Sequence, residues 1–414
     1  MKNKKGFTLI ELLAVIVILA IIALIATPLT ISVINGAKEK SFINSVYGLI
    51  DGVRLLSAEQ LFDNASNEVV VNFNGGVSDN TNFQVSGEMP SSGTMHLNSD
   101  GKVELKVWNE ELGKCAEKGA DESEVKLTEI TKDDCKIEII LPRTFQEVME
   151  PLIGTEVMNN DPDGNLRYVG PTPNNYVSFN GELWRIIGVF DGQAKIIRND
   201  YYSTEIVWDK GSSDGGTHGD DGWNDWSQST LQIELNNEND GYITTIQAND
   251  PTSYSYIDLE HVWNIGGYDN SYRTVGTRSA FYSSERGRTV YSGRPTTWIG
   301  AIGLIYPSDY GYSSSGASET CNSTVMYNWQ EGEDAIAFKE CTKKSWLYDT
   351  NNYQWALTPR SDSSYFAFIV SKHGYVYVSY VDGSQAVRPV LFLKSNTKIV
   401  GGLGTDQEPF ILTQ

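Results

Sequence analysis

Hydrophobic and polar positions are distributed unevenly along this chain. Between Glu11 and Lys38 lie 26 residues, Leu12 to Ala37, without a charged side chain and rich in Leu, Ile, Val and Ala. About 20 apolar residues cross a bilayer as a helix, so this run predicts a membrane-spanning segment. Lys2, Lys4 and Lys5 precede it, which puts the first residues in the cytoplasm and everything after Lys38 outside. Past Lys38 the apolar positions thin to a stripe: Phe42, Val46, Leu49, Val53 and Leu56 recur at helical spacing. The stripe predicts that one helix continues to about Asp63 and Asn64. Gly48 and Gly52 within it leave two readings open, close approach of a neighbouring element or surface glycines.

The period then changes from helix to strand. Val69 to Phe73, Thr94 to Asn98, Val103 to Trp108 and Ile137 to Leu141 read as strands, the middle two joined through Asp100-Gly101 as a hairpin. Further on, Tyr176 to Phe179, Glu182 to Phe190 and Gln193 to Arg198 are separated by Asn180-Gly181 and Asp191-Gly192, which predicts three antiparallel strands. Ser227 to Asn236 reads as a helix with Ser227 as its N-cap. Ile299 to Tyr306, Trp355 to Leu357, Phe366 to Ser371 paired with Tyr375 to Tyr380, and Val387 to Leu393 add short strands among Gly-, Ser-, Asp- and Asn-rich loops. The expected class is α+β: a long helix on a small antiparallel sheet, then a loop-rich, mainly β domain.

Composition sharpens this picture. The 414 residues carry 53 acidic against 32 basic side chains, a net charge of −21. Phosphate recognition needs clustered Lys and Arg, so direct nucleic-acid binding is disfavoured. The aromatic content argues for packed cores rather than disorder. Four cysteines form two local pairs, Cys115 with Cys135 and Cys321 with Cys341. Outside the membrane these pairs are the simplest of three disulfide connectivities, with buried free thiols as the alternative.

The amino terminus departs from an ordinary secretory signal, because its small residue, Gly6, stands before the apolar run rather than after it. Cutting there leaves the hydrophobic helix on the product. Glu11 lies inside the apolar segment, where a carboxylate calls for a partner, and the new amine of Phe7 on a neighbouring subunit would supply one. The segment Lys4-Lys5-Gly6-Phe7-Thr8-Leu9-Ile10-Glu11-Leu12-Leu13 resembles the class III signal of type IV prepilins and pseudopilins. The resemblance implies cleavage between Gly6 and Phe7 by a prepilin peptidase, N-methylation of Phe7, and Glu11 as the assembly carboxylate. It also implies a helix kink at Pro28 and partnership with other pilin subunits and the assembly machinery.

This gives a leader over 1–6, a transmembrane and filament-core helix over 7–37, a pilin-like helix-sheet domain over 38–145, a linker over 146–174 and a mainly β surface domain over 175–414. Removing Met1 to Gly6 takes away three lysines and shifts the charge balance from −21 to −24, so the acidity belongs to the exported part. The last domain resembles an uncharacterised domain of Gram-positive surface proteins through Leu183-Trp184-Arg185-Ile186-Ile187-Gly188-Val189, Tyr306-Pro307-Ser308-Asp309-Tyr310-Gly311 and Ala386-Val387-Arg388-Pro389-Val390. Part of it is faintly similar to C-type-lectin-like and formylglycine-generating-enzyme-like folds.

Chemistry-bearing motifs are sparse. His96, His218, His261 and His373 are scattered, and no H-E-x-x-H occurs in the chain. Asp161, Asp163 and Asn165 alternate like the start of a calcium loop without its later ligands. Trp223-Asn224-Asp225 repeats a tripeptide of calcium-dependent lectins, but reads equally as a helix-start signal. No catalytic residue, metal site or cofactor is therefore expected. The expectation is a type IV pilin-like, minor, non-enzymatic subunit displaying an adhesive domain for a carbohydrate or protein ligand at the cell surface. A pseudopilin of a secretion or DNA-uptake system, or a membrane-tethered surface enzyme, is the alternative.

Overall fold

A computed structural model describes residues 8–60, 68–83, 85, 87–98, 100–137, 139, 141–269, 276–314, 318–332 and 335–414, with the side chains of 26–29 and 60 excluded. The chain divides into two compact units, Met1–Ile139 and Ile140–Gln414.

Helix α1, Leu9–Gln60, dominates the first unit. At 1.5 Å rise per residue its 52 residues extend ~78 Å. Its two halves face different surroundings. The described side chains from Leu9 to Asn35 are exposed, so they bury no apolar surface among the described residues. In the second half Phe42, Val46, Leu49, Val53 and Leu56 are all buried, as the stripe predicts. They cover one face of an antiparallel sheet made by β1 (Val69–Asn74), β2 (Val77–Ser78), β3 (Ser92–Leu97), β4 (Val103–Asn109), β5 (Lys114–Lys118) and β6 (Lys126–Thr128), in the order β2-β1-β3-β4-β5-β6. Val69, Val71 and Phe73 point into this core while Asn72 and Asn74 point out, the alternation of a half-buried strand. Leu97 opposite Val103 closes the expected hairpin.

Gly52 is a close-approach glycine: a Cβ there would stand 2.3 Å from Val85 Cγ1 and 3.1 Å from Phe83 Cε2. The strand expected at Ile137 to Leu141 does not form among the described residues of that stretch. Cys135 is tied to Cys115 instead, so a side-chain bond holds this segment rather than backbone pairing.

In the second unit the strands are, in chain order, β7 (Val157–Met158), β8 (Leu166–Tyr168), β9 (Tyr176–Phe179), β10 (Glu182–Phe190), β11 (Gln193–Arg198), β12 (Ser203–Val207), β13 (Val262–Asn264), β14 (Thr297–Ile299), β15 (Ile302–Gly303), β16 (Gln354–Pro359), β17 (Phe366–Val370), β18 (Val376–Tyr380), β19 (Ser384–Val387), β20 (Val390–Phe392), β21 (Lys398–Gly401) and β22 (Ile411–Thr413). One sheet runs β15-β20-β11-β10-β8-β7 with β9 also paired to β10; a second runs β12-β19-β16-β17-β18. Asn180 and Asp191 adopt left-handed φ values of 57° and 49°, each followed by a positive-φ glycine, as the predicted Asx-Gly turns require. One continuous core joins both sheets, with Trp184, Trp208, Trp226, Trp263, Trp329 and Trp355 fully buried.

Four expectations change here. Residues 146–174 are not a linker: they hold the helix Phe145–Met149, β7 and β8, and bury Val157, Arg167 and Tyr168. Their acidic, turn-rich composition reflects tight turns at the sheet edge, whose polar side chains are used internally. The helix expected from Ser227 splits into a 3₁₀ turn, Trp226–Gln228, capped by Asp225, and an α-helix, Thr230–Asn236, capped by Ser229. Two successive caps break the run. Ile299 to Tyr306 and Val387 to Leu393 are likewise interrupted, the latter at Arg388-Pro389, where proline removes a donor.

Candidate functional site

Two regions carry chemistry, one in each unit. At the start of α1, Thr8 and Glu11 form a reciprocal cap. The Thr8 N–H and hydroxyl donate to Glu11 Oε2 at 2.9 and 2.8 Å, and the Glu11 N–H approaches Thr8 Oγ1 at 3.4 Å. The carboxylate thus satisfies otherwise orphaned donors at the helix start. It remains exposed, at the head of an exposed apolar helix. Gly6 and Phe7 lie outside the described residues, and so does the side chain of Pro28.

The second region begins with a row across the larger sheet. Register places Arg167 on β8 opposite Gly188 on β10, Gly188 opposite Lys195 on β11, and Lys195 opposite Phe392 on β20. Gly188 sits at a β-bulge, where a Cβ would lie 2.2 Å from the Leu166 carbonyl. Two cations therefore flank a position with no side chain, and Asp309 bridges them. Its carboxylate accepts from Arg167 Nη1 at 2.9 Å, from Lys195 Nζ at 2.5 Å, and from the Tyr306 N–H at 2.9 Å. Pro307 at the first turn of the helix Pro307–Tyr312 helps to set this loop-to-helix entry. Arg167 also bonds Asp161 at 2.7 Å, and Asp161 accepts from the Asn165 backbone and side chain. Asp161 and Asn165 thus brace a buried arginine.

Asp161, Arg167, Lys195 and Asp309 have less than a tenth of their surface exposed. Burial works to raise the Asp309 pKa, but Lys195 and Arg167 outweigh it and hold the carboxyl at about 2. Burial pushes Lys195 down to about 8 despite Asp309, because Arg167 and Arg286 repel the ammonium. The two shifts differ because Asp309 faces two cations and Lys195 one anion; both are charged at neutral pH. Glu285, fully buried, is driven up to about 7 by burial, with Arg286 and Ser308 opposing. The Ser308 N–H donates to its Oε1 at 3.0 Å and the Ser308 hydroxyl to its Oε2.

Above this network opens a cavity of about 200 Å³. Lys195 reaches it from below, with its Nζ 4.2 Å from the Tyr306 ring centroid. Phe190, Tyr306 and Phe392 form apolar walls, and His261 stacks on Phe392 at 3.7 Å. Asp191, Gln193, Asn264 and Arg286 supply polar atoms around it. Arg286 stacks on Tyr282 at 3.5 Å, whose hydroxyl donates to Asp163 at 2.5 Å.

The remaining motif residues do structural work. The Asn224 side chain donates to the Arg360, Ser363 and Phe366 carbonyls, and Asp225 caps the turn after it, so the Trp223-Asn224-Asp225 signal is a helix start. Each histidine sits beside a carboxylate: His96 by Glu104, His218 by Asp209, His261 by Asp258 and His373 by Glu331. Both local cysteine pairs are disulfides, Cys115–Cys135 and Cys321–Cys341. The three quoted segments of the second unit are core elements: central strand β10, the Asp309 turn, and the strand pair where Arg388 grips Gln354 at 2.7 and 3.0 Å. The cavity itself escapes sequence reading, because its residues come from segments between 163 and 392 with no common spacing.

Residues 1–27 match the family model described as the prokaryotic N-terminal methylation motif. No curated protein and no solved structure matches the chain. The amino-terminal segment is thus a class III signal of type IV prepilins and pseudopilins, on a pilin-like protein with, among the described residues, one apolar helix suited to a single-pass membrane anchor. The motif implies processing by a prepilin peptidase and assembly with other pilins and their machinery.

Proposed function

We propose that this chain is a minor subunit of a type IV pilus or a related fibre, and that its second unit is a non-catalytic adhesive or ligand-binding module displayed outside the cell. The observation that carries the reading is the stem: an apolar helix whose described side chains from Leu9 to Asn35 are all exposed, with Glu11 in its first turn and a methylation motif matched over residues 1–27. Such a surface is stable only in lipid or against other helices, and a pilin-like subunit passes from the first to the second.

A minor role follows from bulk. The second unit, Ile140–Gln414, is about twice the length of the first, so packing it at every position of a fibre demands far more room than a plain pilin. Disulfides in both units suit an oxidising exterior. Arg167, Lys195, Asp161 and Asp309 of the second unit satisfy one another as buried ion pairs, which favours a binding over an enzymatic reading. Mass spectrometry of the protein from its native membrane tests the pathway. An amino terminus at N-methylated Phe7 supports it, and retained Met1 overturns it.

A further inference from the structure

We propose that the cavity between the β10–β11 turn and β13 binds one neutral sugar ring, the terminal unit of a glycan. The proposal rests on reading the second unit as a displayed binding module, and it names the site and the ligand class.

Size comes first. At about 200 Å³ the cavity is smaller than the roughly 300–1,000 Å³ that takes drug-sized molecules, so it suits a single ring. Charge excludes other small ligands. An anion would find the Lys195 charge already neutralised by Asp309, and the Asp163 and Asp191 carboxylates at the rim. A cation would meet Lys195 and Arg286. An apolar ligand would strand polar atoms all round the wall, at an unmet desolvation cost.

What remains is a neutral molecule with many hydroxyls and one less polar face. The unused hydrogen-bonding capacity matches it. Lys195 Nζ has three donors and one carboxylate partner, Asp309. Gln193 Nε2 donates to Asp258 at 2.8 Å, leaving its carbonyl as an acceptor. Asp258 also lies 3.5 Å from His261 Nδ1 and favours a proton there, which leaves Nε2 as an acceptor. Burial lowers the His261 pKa to about 4, so the ring is neutral at physiological pH. The Asn264 amide and the Asp191 carboxylate have no side-chain partner among the described residues, and each can hold adjacent hydroxyls. Phe190 and Phe392, each with one ring face covered, by Arg167 at 4.5 Å and by His261 at 3.7 Å, line the cavity as apolar wall for the C–H groups of a pyranose.

The test uses the full chain in detergent micelles and saturation-transfer NMR. The probes are free neutral hexoses and N-acetylhexosamines, with inorganic phosphate and glycine as charged comparators. Two variants report on the site. Val262→Trp fills the mouth from an exposed rim position, and Asn264→Leu removes an amide at similar size. Near-UV circular dichroism confirms that both keep the fold. Binding of at least one neutral sugar, weakened at least tenfold in both variants, supports the proposal. Absence of binding by any neutral sugar, preference for phosphate or glycine, or sugar binding at wild-type strength in both folded variants overturns it. Sugar binding by a protein that never enters fibres would overturn the display reading and leave the site standing; fibres carrying a protein blind to sugars would do the reverse.

Discussion

Replacing Asp309 with asparagine removes one negative charge from between two buried cations while keeping the side chain's shape. The carboxylate receives three donors, from Arg167, Lys195 and the Tyr306 backbone, and is itself inaccessible to solvent. Asparagine retains one acceptor and turns an NH₂ group toward those donors. Arg167 keeps Asp161, but Lys195 loses its carboxylate. Breaking a buried pair from one side costs about 3–5 kcal/mol. For a unit of this size, roughly 2–4 °C per kcal/mol gives a melting shift of about 6–20 °C. Tryptophan fluorescence isolates the relevant unit, because nine of the ten tryptophans lie beyond residue 139 and Trp108 alone lies before it. The double variant with Lys195→Met should lose less than the two single losses added, a coupling above about 1 kcal/mol. A melting shift below about 2 °C for Asp309→Asn, with the fold intact, would refute the claim that this ion network holds the second unit together.

Glu285 gives a pH-dependent prediction. Its folded pKa is raised from 4.5 to about 7, so its contribution is fully present below about pH 4.5 and is lost as pH rises through about 7. Wild type should therefore lose stability relative to Glu285→Gln between those limits, and parallel unfolding curves would refute the assignment. Reducing Cys321–Cys341, or replacing both residues by alanine, should destabilise the second unit by about 3 kcal/mol in a urea titration read by fluorescence. Glu11→Ala should abolish or sharply reduce recovery in sheared fibres while leaving the amount in membranes unchanged; wild-type recovery would remove Glu11 from assembly. Thr8→Ala deletes the hydroxyl of the cap but leaves Glu11 free to meet a neighbour, so it should reduce recovery less than Glu11→Ala.

Much of the fold was legible wherever a period was maintained. The stripe from Phe42 to Leu56 is buried as read, and the strands around Asn180-Gly181 and Asp191-Gly192 fall at the expected residues. Reading failed where short polar side chains serve as local caps. Asp225 and Ser229 divide one expected helix, and Asp161 and Asn165 build the edge of a sheet from what reads as a linker. The short helices at Pro251–Tyr256, Arg278–Glu285 and Pro307–Tyr312 escape for the same reason, since each is fixed by a cap or a proline and by tertiary packing rather than by a sustained stripe, and Tyr242–Asn249 is too short to show one. The amino-terminal motif was visible because its chemistry is local, with Gly6, Phe7 and Glu11 at fixed offsets. The cavity was invisible because sheet register and a bulge at Gly188 assemble it from distant segments.

Imaging of purified fibres with a label placed after Gln414 tests the central claim most directly. The display account predicts label on the fibres, sparse or confined to one end as for a minor subunit. Fibres without label from cells whose membranes hold the labelled protein would contradict it.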